Sequence, residues 1–238
     1  MAQPAAAVNW LPPLALGFWG AVLLQAWSSG RLNLLLQADF HWLVFVAALL
    51  LIGLALLALR FPPPRRSGQR PALVMLLAAP LLLVLPPRPS LSTLAANRSS
   101  SDLGDGDQAL TFFSPPEQRS LTDWVRLLRS QPDPELYRGE PVRISGFVLP
   151  VAGAPPQLAR LTVRCCLADA TPVGLPIIWP NGSQPKADQW FQVSGSMGVE
   201  RHQGGLRSIV VADATELIPK PERPLEPRNA GVSCCWPV

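Results

Sequence analysis

The residues best equipped for chemistry are Cys165, Cys166 and Asp169, gathered in the string Leu161-Thr-Val-Arg-Cys-Cys-Leu-Ala-Asp-Ala-Thr-Pro-Val-Gly-Leu175. Two thiols and a carboxylate in so short a stretch offer donors to a thiophilic ion, a redox pair or a nucleophile. Adjacent cysteines on a regular strand point to opposite faces, so one should pack inward while the other faces a surface or groove. Only a bulge or turn would let both ligate one metal, and the turn-prone Asp169 and Thr171-Pro172 offer one between Leu167 and Pro172. Zinc takes Cys sulfur and Asp oxygen in a tetrahedral shell, which makes these three residues the candidate ligands and zinc the candidate ion. Two plainer readings stand beside it: the thiols as small buried hydrophobes, and Asp169 as a turn cap.

The remaining cysteines, Cys234 and Cys235, form a second vicinal pair near the C-terminus. No CxxC spacing occurs, so standard zinc-finger and thioredoxin patterns fail. In an oxidising compartment Cys234 or Cys235 can pair with Cys165 or Cys166, or serve as an additional ligand. A bond within one vicinal pair would be strained. A single four-thiol site ranks last, because vicinal geometry is awkward for it. The chain has two histidines, His41 and His202, and no Ser/His/Asp pattern or paired carboxylates. An enzyme would have to rest on a Cys nucleophile with His202 as base, and the expectation is that the chain is not an enzyme.

What must position this segment is a β domain on a membrane anchor. The composition is 48% hydrophobic and 15% charged, with net charge +4, which fits a few spans plus one folded domain. Three apolar runs lie at about 10–27, 41–59 and 72–92, within a membrane region 1–96. The third is short of a span unless it extends past Pro86 and Pro87. The first lacks the basic start and cleavage site of a signal peptide. Arg60, Arg65, Arg66 and Arg70 follow the second run and should face the cytoplasm, which places the C-terminal domain outside. Gly17, Gly20 and Gly53 offer sites of close helix approach. His41 at the edge of the second run reads as an interface residue. The first two runs, and the third over 72–85, contain no charge that would line a conducting path, so they read as anchor or docking surface.

A Ser/Gly/Asp-rich linker spans 97–113, and its Asp-Gly-Asp lacks the full calcium-loop pattern. From 114 to 219 a domain opens at Ser114-Pro-Pro-Glu with a helix whose apolar face is Leu121, Trp124, Val125, Leu127 and Leu128, closed by Pro132 and Pro134. Five strand-like runs follow, at 141–149, 158–166, 172–179, 190–197 and 206–212, with 214–219 as exit strand or edge. Val142-Arg-Ile-Ser-Gly146 and Phe191-Gln-Val-Ser-Gly195 echo each other, and glycines late in strands suit the corners of a small barrel. The expected fold is an OB-like Greek-key barrel, with a β-sandwich fragment as runner-up. A Pro-rich tail occupies 220–238. Trp179, Trp190 and Phe191 lack interleaved Lys and Arg, which argues against nucleic acid as a partner.

Three phrases in order, Tyr137-Arg-Gly-Glu-Pro-Val-Arg-Ile-Ser-Gly-Phe-Val148, Arg164-Cys-Cys-Leu-Ala-Asp-Ala-Thr-Pro-Val-Gly-Leu-Pro176 and Asp188-Gln-Trp-Phe-Gln-Val-Ser-Gly195, resemble the YcgQ-like family of two-component permease subunits. The C-terminal part of that family is a domain of unknown function, and its Cys-Cys-x-Ala-Asp-Ala core is the specific element. The resemblance implies a multi-pass cell-membrane protein, an accessory subunit beside a multi-span permease, with an association to metal handling. It leaves the Cys234-Cys235-Trp236 tail unmatched. From the residues alone, a membrane-anchored thiol redox protein using Cys165 or Cys166 is the alternative.

Overall fold

The computed structural model describes residues 10–61, 73–78, 80, 90–98, 115–152, 154–182, 185–202 and 204–227. Its contacts divide the chain into two compact units, Met1–Arg88 and Pro89–Val238.

In the first unit, helix α1 runs Leu11–Ser28, with prolines in its first turn where no N–H partner is lost. Gly30, at φ 69°, turns the chain into short 3₁₀ segments. Helix α2, His41–Arg60, is built almost wholly of Leu, Ala and other apolar residues and ends before Pro62, which disfavours helical backbone at Phe61. The helices are antiparallel: Gly17 faces Ala55, Gly20 faces Ala48 and Ile52, and Trp27 meets Phe45 with ring centroids 5.1 Å apart. A Cβ on Gly20 would lie 2.6 Å from Ile52 Cγ1 and 3.0 Å from the Ala48 carbonyl oxygen, so this crossing requires glycine. Gly53 differs from expectation. Among the described residues nothing lies within 4 Å of its notional Cβ, so it sits off the α1–α2 contact face. His41 is tied to its own turn, its Nε2 lying 3.3 Å from the Leu36 carbonyl oxygen.

Among the described residues one helix, Ala38–Arg60, is long and apolar enough to cross a membrane. In α1, Pro12, Pro13, Gly17, Gly20 and Gln25 dilute the apolar character. Of the third apolar run, residues 73–78 and 80 are helical, and Trp19 Nε1 donates to the Met75 carbonyl at 3.0 Å. The last residues of that run, 90–92, instead begin the helix Leu91–Ala96 of the second unit, while 72, 79 and 81–89, and residues 99–113 of the 97–113 linker, lie outside the described residues.

The second unit carries six strands in a mixed sheet: β1 Pro141–Val151, β2 Ala154–Val163, β3 Thr171–Ile178, β4 Trp190–His202, β5 Gly205–Ile218 and β6 Leu225–Pro227. β1 pairs antiparallel with both β4 and β2, β2 with β3, and β4 with β5, while β3 and β5 pair in parallel. Stepping across these pairings from β1 through β4, β5, β3 and β2 leads back to β1. β6 adds a short parallel pairing to β2.

The echoing glycines sit where backbones cross closely. A Cβ on Gly146 would come within 2.5 Å of the Ala159 carbonyl oxygen, and one on Gly195 within 1.9 Å of that of Val211, beside the β4 bulge at Ser194/Gly195. Helix α4, Leu121–Ser130, begins later than Ser114-Pro-Pro-Glu suggests. Ser120 and Asp123 form a reciprocal capping box, and Pro116–Gln118 is a separate 3₁₀ turn before it. Leu121, Trp124 and Leu127 bury against Ile144, Leu158 and Val193. On the other side of the strands, Phe147, Leu161, Val163 and Trp190 pack with Leu91 and Ala95 of α3, Leu91–Ala96. Each such large side chain contributes about 1.5–3 kcal/mol by leaving water.

Candidate functional site: the Cys-Cys-Asp turn

β2 stops at Val163, so Cys165 and Cys166 are not strand residues as the apolar pattern suggests. The cause is Asp169. Its carboxylate reaches back to accept Arg164 N–H at 3.1 Å through Oδ1 and Cys165 N–H at 2.9 Å through Oδ2. Its own N–H donates to the Cys166 carbonyl at 3.1 Å, closing the 3₁₀ turn Leu167–Asp169. Backbone donors that would have continued the ladder are spent on one side chain, which is how Asp residues make turns.

That turn undoes the opposite-face geometry. The Cys165 and Cys166 sulfurs lie 3.6 Å apart, and the Cys165 thiol donates to Asp169 Oδ2 at 3.2 Å. Both thiols are free and half-buried, so they are not core hydrophobes. The bond to Asp169, reinforced by the Cys166 thiol, pushes the Cys165 pKa up to about 11 and holds that thiol protonated at neutral pH. Burial alone would raise the Asp169 pKa. The Cys165 amide and thiol and the Arg164 and Cys166 amides outweigh it and hold the carboxyl below its ordinary value.

The turn is also gripped from outside. Arg98 Nη1 donates to the Leu167 carbonyl at 2.8 Å and the Ala170 carbonyl at 2.7 Å. The same Arg98 lines a cavity of about 470 Å³ with Val125, Leu128, Arg129, Leu149 and Leu175. Arg98 carries no recognisable sequence signal, since it lies at the start of the 97–113 linker and acts across the chain. Asp188 is a second case. At φ 63° it accepts from Ser90 Oγ at 2.6 Å and Ser92 N–H at 2.7 Å, fixing the start of α3.

The structure therefore brings Cys165, Cys166 and Asp169 together. His202 lies exposed at the tip of the β4–β5 hairpin, where it faces Gly205. Cys234 and Cys235 lie outside the described residues. As the side chains stand, no group of three or more His, Cys, Asp or Glu among the described residues is placed to hold a metal ion. The Asp169 oxygen nearest Cys165 is engaged with that residue's N–H and S–H.

Residues 118–225 match the family described as the DUF1980 C-terminal domain, a domain of unknown function. The match runs from just before α4 to the first residue of β6 and includes the whole Cys-Cys-Asp turn. No curated protein and no solved structure matches the chain.

Proposed function

We propose that this chain is a membrane-anchored, non-enzymatic accessory subunit of a multi-span permease, and that its β unit captures a soft or borderline cation at the Cys165-Cys166-Asp169 turn. The observation that carries the reading is the pair of distances at the turn. Two sulfurs bound to zinc at about 2.3 Å and a tetrahedral angle lie about 3.8 Å apart, and a sulfur and a carboxylate oxygen about 3.6 Å apart. The 3.6 Å between sulfurs and 3.2 Å between Cys165 Sγ and Asp169 Oδ2 approximate two edges of that tetrahedron. Cation entry replaces the thiol proton, and Asp169 then completes the shell or orients it through the amides it holds.

The five mutually paired strands, with β3 and β5 parallel, support an OB-like Greek-key barrel as the frame. Extending the anchor to α1 and the third apolar run, with Arg60, Arg65, Arg66 and Arg70 on the cytoplasmic side, puts the β unit outside the cell membrane. The exposed leucines of α2 then meet lipid or the permease. The raised Cys165 pKa argues against the thiol redox alternative, because a protonated thiol is a weak nucleophile.

Metal content and transport-linked growth of Cys166→Ser and Asp169→Asn chains test the capture. Loss of both is expected, with an unchanged thermal melt for Cys166→Ser and only the small drop that the weakened amide bonds imply for Asp169→Asn. A lowered melt with metal content and growth intact sinks the reading. Sidedness is tested by an impermeant thiol reagent on intact cells, with one cysteine engineered into 99–107 and the native thiols replaced. Labelling before lysis is expected, and labelling only after lysis reverses the assignment.

A further inference from the structure

Arg98 is placed by the end of α3. Its N–H donates to the Ala95 carbonyl at 3.2 Å as the helix closes, and its side chain reaches the Leu167 and Ala170 carbonyls. Both side-chain bonds come from Nη1. A guanidinium carries five N–H donors, so the edge formed by Nε and Nη2 remains. Among the described residues that edge has no hydrogen-bond partner, and Arg98 has no carboxylate in ion-pair contact. A half-buried cation is thus only partly satisfied by the protein around it.

The cavity that Arg98 lines has a volume of about 470 Å³, within the ordinary range of about 300–1,000 Å³ for small-molecule sites. Its walls are of two kinds. Val125, Leu128, Leu149 and Leu175 are apolar, while Arg98, Arg129 and Gln157 are polar, and no Asp or Glu is among the described residues that line it. Partial burial lowers the Arg129 pKa, so this second guanidinium is short of hydration. Gln157 lies across Gly174, where a Cβ would come within 3.3 Å of its Oε1. Its side-chain amide has no hydrogen-bond partner among the described residues. Two guanidinium groups and an amide on apolar walls match an anion that carries an apolar body, and they disfavour a cation.

We propose that this cavity binds a small organic carboxylate with an apolar body, and that Arg98 ties its occupancy to the Cys-Cys-Asp turn. The carboxylate takes the Nε and Nη2 edge of Arg98 in the two-bond geometry that a planar guanidinium favours. Arg129 and Gln157 supply further donors, and Val125, Leu128 and Leu175 take the apolar body out of water. Nη1 stays on the Leu167 and Ala170 carbonyls, so one side chain holds ligand and turn together. A ligand that fixes Arg98 makes the turn harder to open, and by linkage an ordered turn favours the ligand. Carboxylate binding here needs no cation at the thiols.

Calorimetric titration of the full chain in nanodiscs of zwitterionic lipid, with chelator present, tests the site. The probes are 4-phenylbutanoate, its neutral amide 4-phenylbutanamide, and inorganic phosphate, with empty nanodiscs as the blank. The carboxylate should bind, and the amide and phosphate should each bind at least about tenfold more weakly. Arg98→Gln and Arg129→Glu should each weaken carboxylate binding by about tenfold or more, with circular dichroism confirming their folds. In a Cys234→Ser/Cys235→Ser chain, where only Cys165 and Cys166 react, saturating carboxylate should slow alkylation by iodoacetamide about fivefold or more. No carboxylate binding, an amide that binds as tightly, or an Arg129→Glu chain that binds as the parent does overturns the site. Phosphate binding as tightly as the carboxylate overturns the ligand class. Carboxylate binding with unchanged alkylation overturns the tie to the turn. Because the chelator withholds cations throughout, cation capture stands or falls separately.

Discussion

In α2, Leu50, Leu54, Leu56 and Leu57 each expose more than half of their surface. In the strands, Leu158, Leu161, Ile177 and Val193 expose none. The side chains are of one kind, and only their partners differ. The strand unit buries a core of apolar residues on both sides of the sheet, against α4 and against α3. The helical unit spends small residues, Gly20, Ala48 and Ala55, on one seam and leaves its leucines outward. Such a surface is stable where the surroundings are themselves apolar, with backbone polar groups satisfied inside the helix. On the proposed membrane placement one unit is organised by water and the other by its absence, and substitutions should sort accordingly.

The largest effect should come from the strand unit's core. Trp124→Ala removes a fully buried ring between α4 and the strands and should destabilise the unit by about 3–5 kcal/mol in a denaturant titration. Trp124→Phe should cost far less, because Trp124 Nε1 has no hydrogen-bond partner among the described residues. An unchanged midpoint for Trp124→Ala would mean that the core is not where these contacts place it. Gly195→Ala comes next. Its Cβ meets backbone, which cannot swing aside, and a loss of about 3 kcal/mol in the same titration is expected.

In the helical unit the reverse should hold. Leu50→Arg should leave the strand unit's melt alone and cost about 3 kcal/mol at insertion, read as protein released by alkaline extraction of membranes. Retention equal to the parent would break the contrast between the units. The smallest effect belongs to Asp169→Asn, about 1 kcal/mol from weakened bonds to the amides. Because the Asp169 pKa is depressed on folding, its contribution is full above its unfolded value near 3.9 and fades as pH falls through the folded one. The parent and Asp169→Asn stabilities should therefore converge in strong acid. A gap that widens there would contradict the assigned bonds.

How far the sequence revealed all this depended on the range of the interaction. The α4 face was legible because Leu121, Trp124, Val125 and Leu127 repeat with the helix period, and the corner glycines because their phrases echo. The end of β2 was not. Leu161-Thr-Val-Arg-Cys-Cys reads as one run, and only the Asp169 carboxylate, folding back onto the Arg164 and Cys165 amides, cuts it. β6 was hidden because three residues, Leu-Glu-Pro, carry no alternation, and their place is set by Thr122 and Arg160 far back in the chain. The 214–219 phrase was seen as extended but taken for an exit strand or edge. It is mostly the second half of β5, paired to β4 from Ala214 to Ile218. The convergence of the two thiols was readable only once the turn was known.

The pairing of β6 with β2 also sets a clock. A chain made from its N-terminus completes β2 well before Leu225 exists, and at about 5–20 residues per second the wait for the intervening residues is roughly 3–12 s. Throughout that interval the edge of β2 that β1 covers over 154–159 has no partner at 161–163, and an unpaired edge invites other strands. On the proposed membrane placement, the helices of the first unit have by then been synthesised, and the waiting edge belongs to a chain that can be held at a bilayer rather than free to meet its copies in solution. Slowing synthesis over 165–224 would lengthen the exposure, and removing the helical unit would raise the concentration of encounters during it.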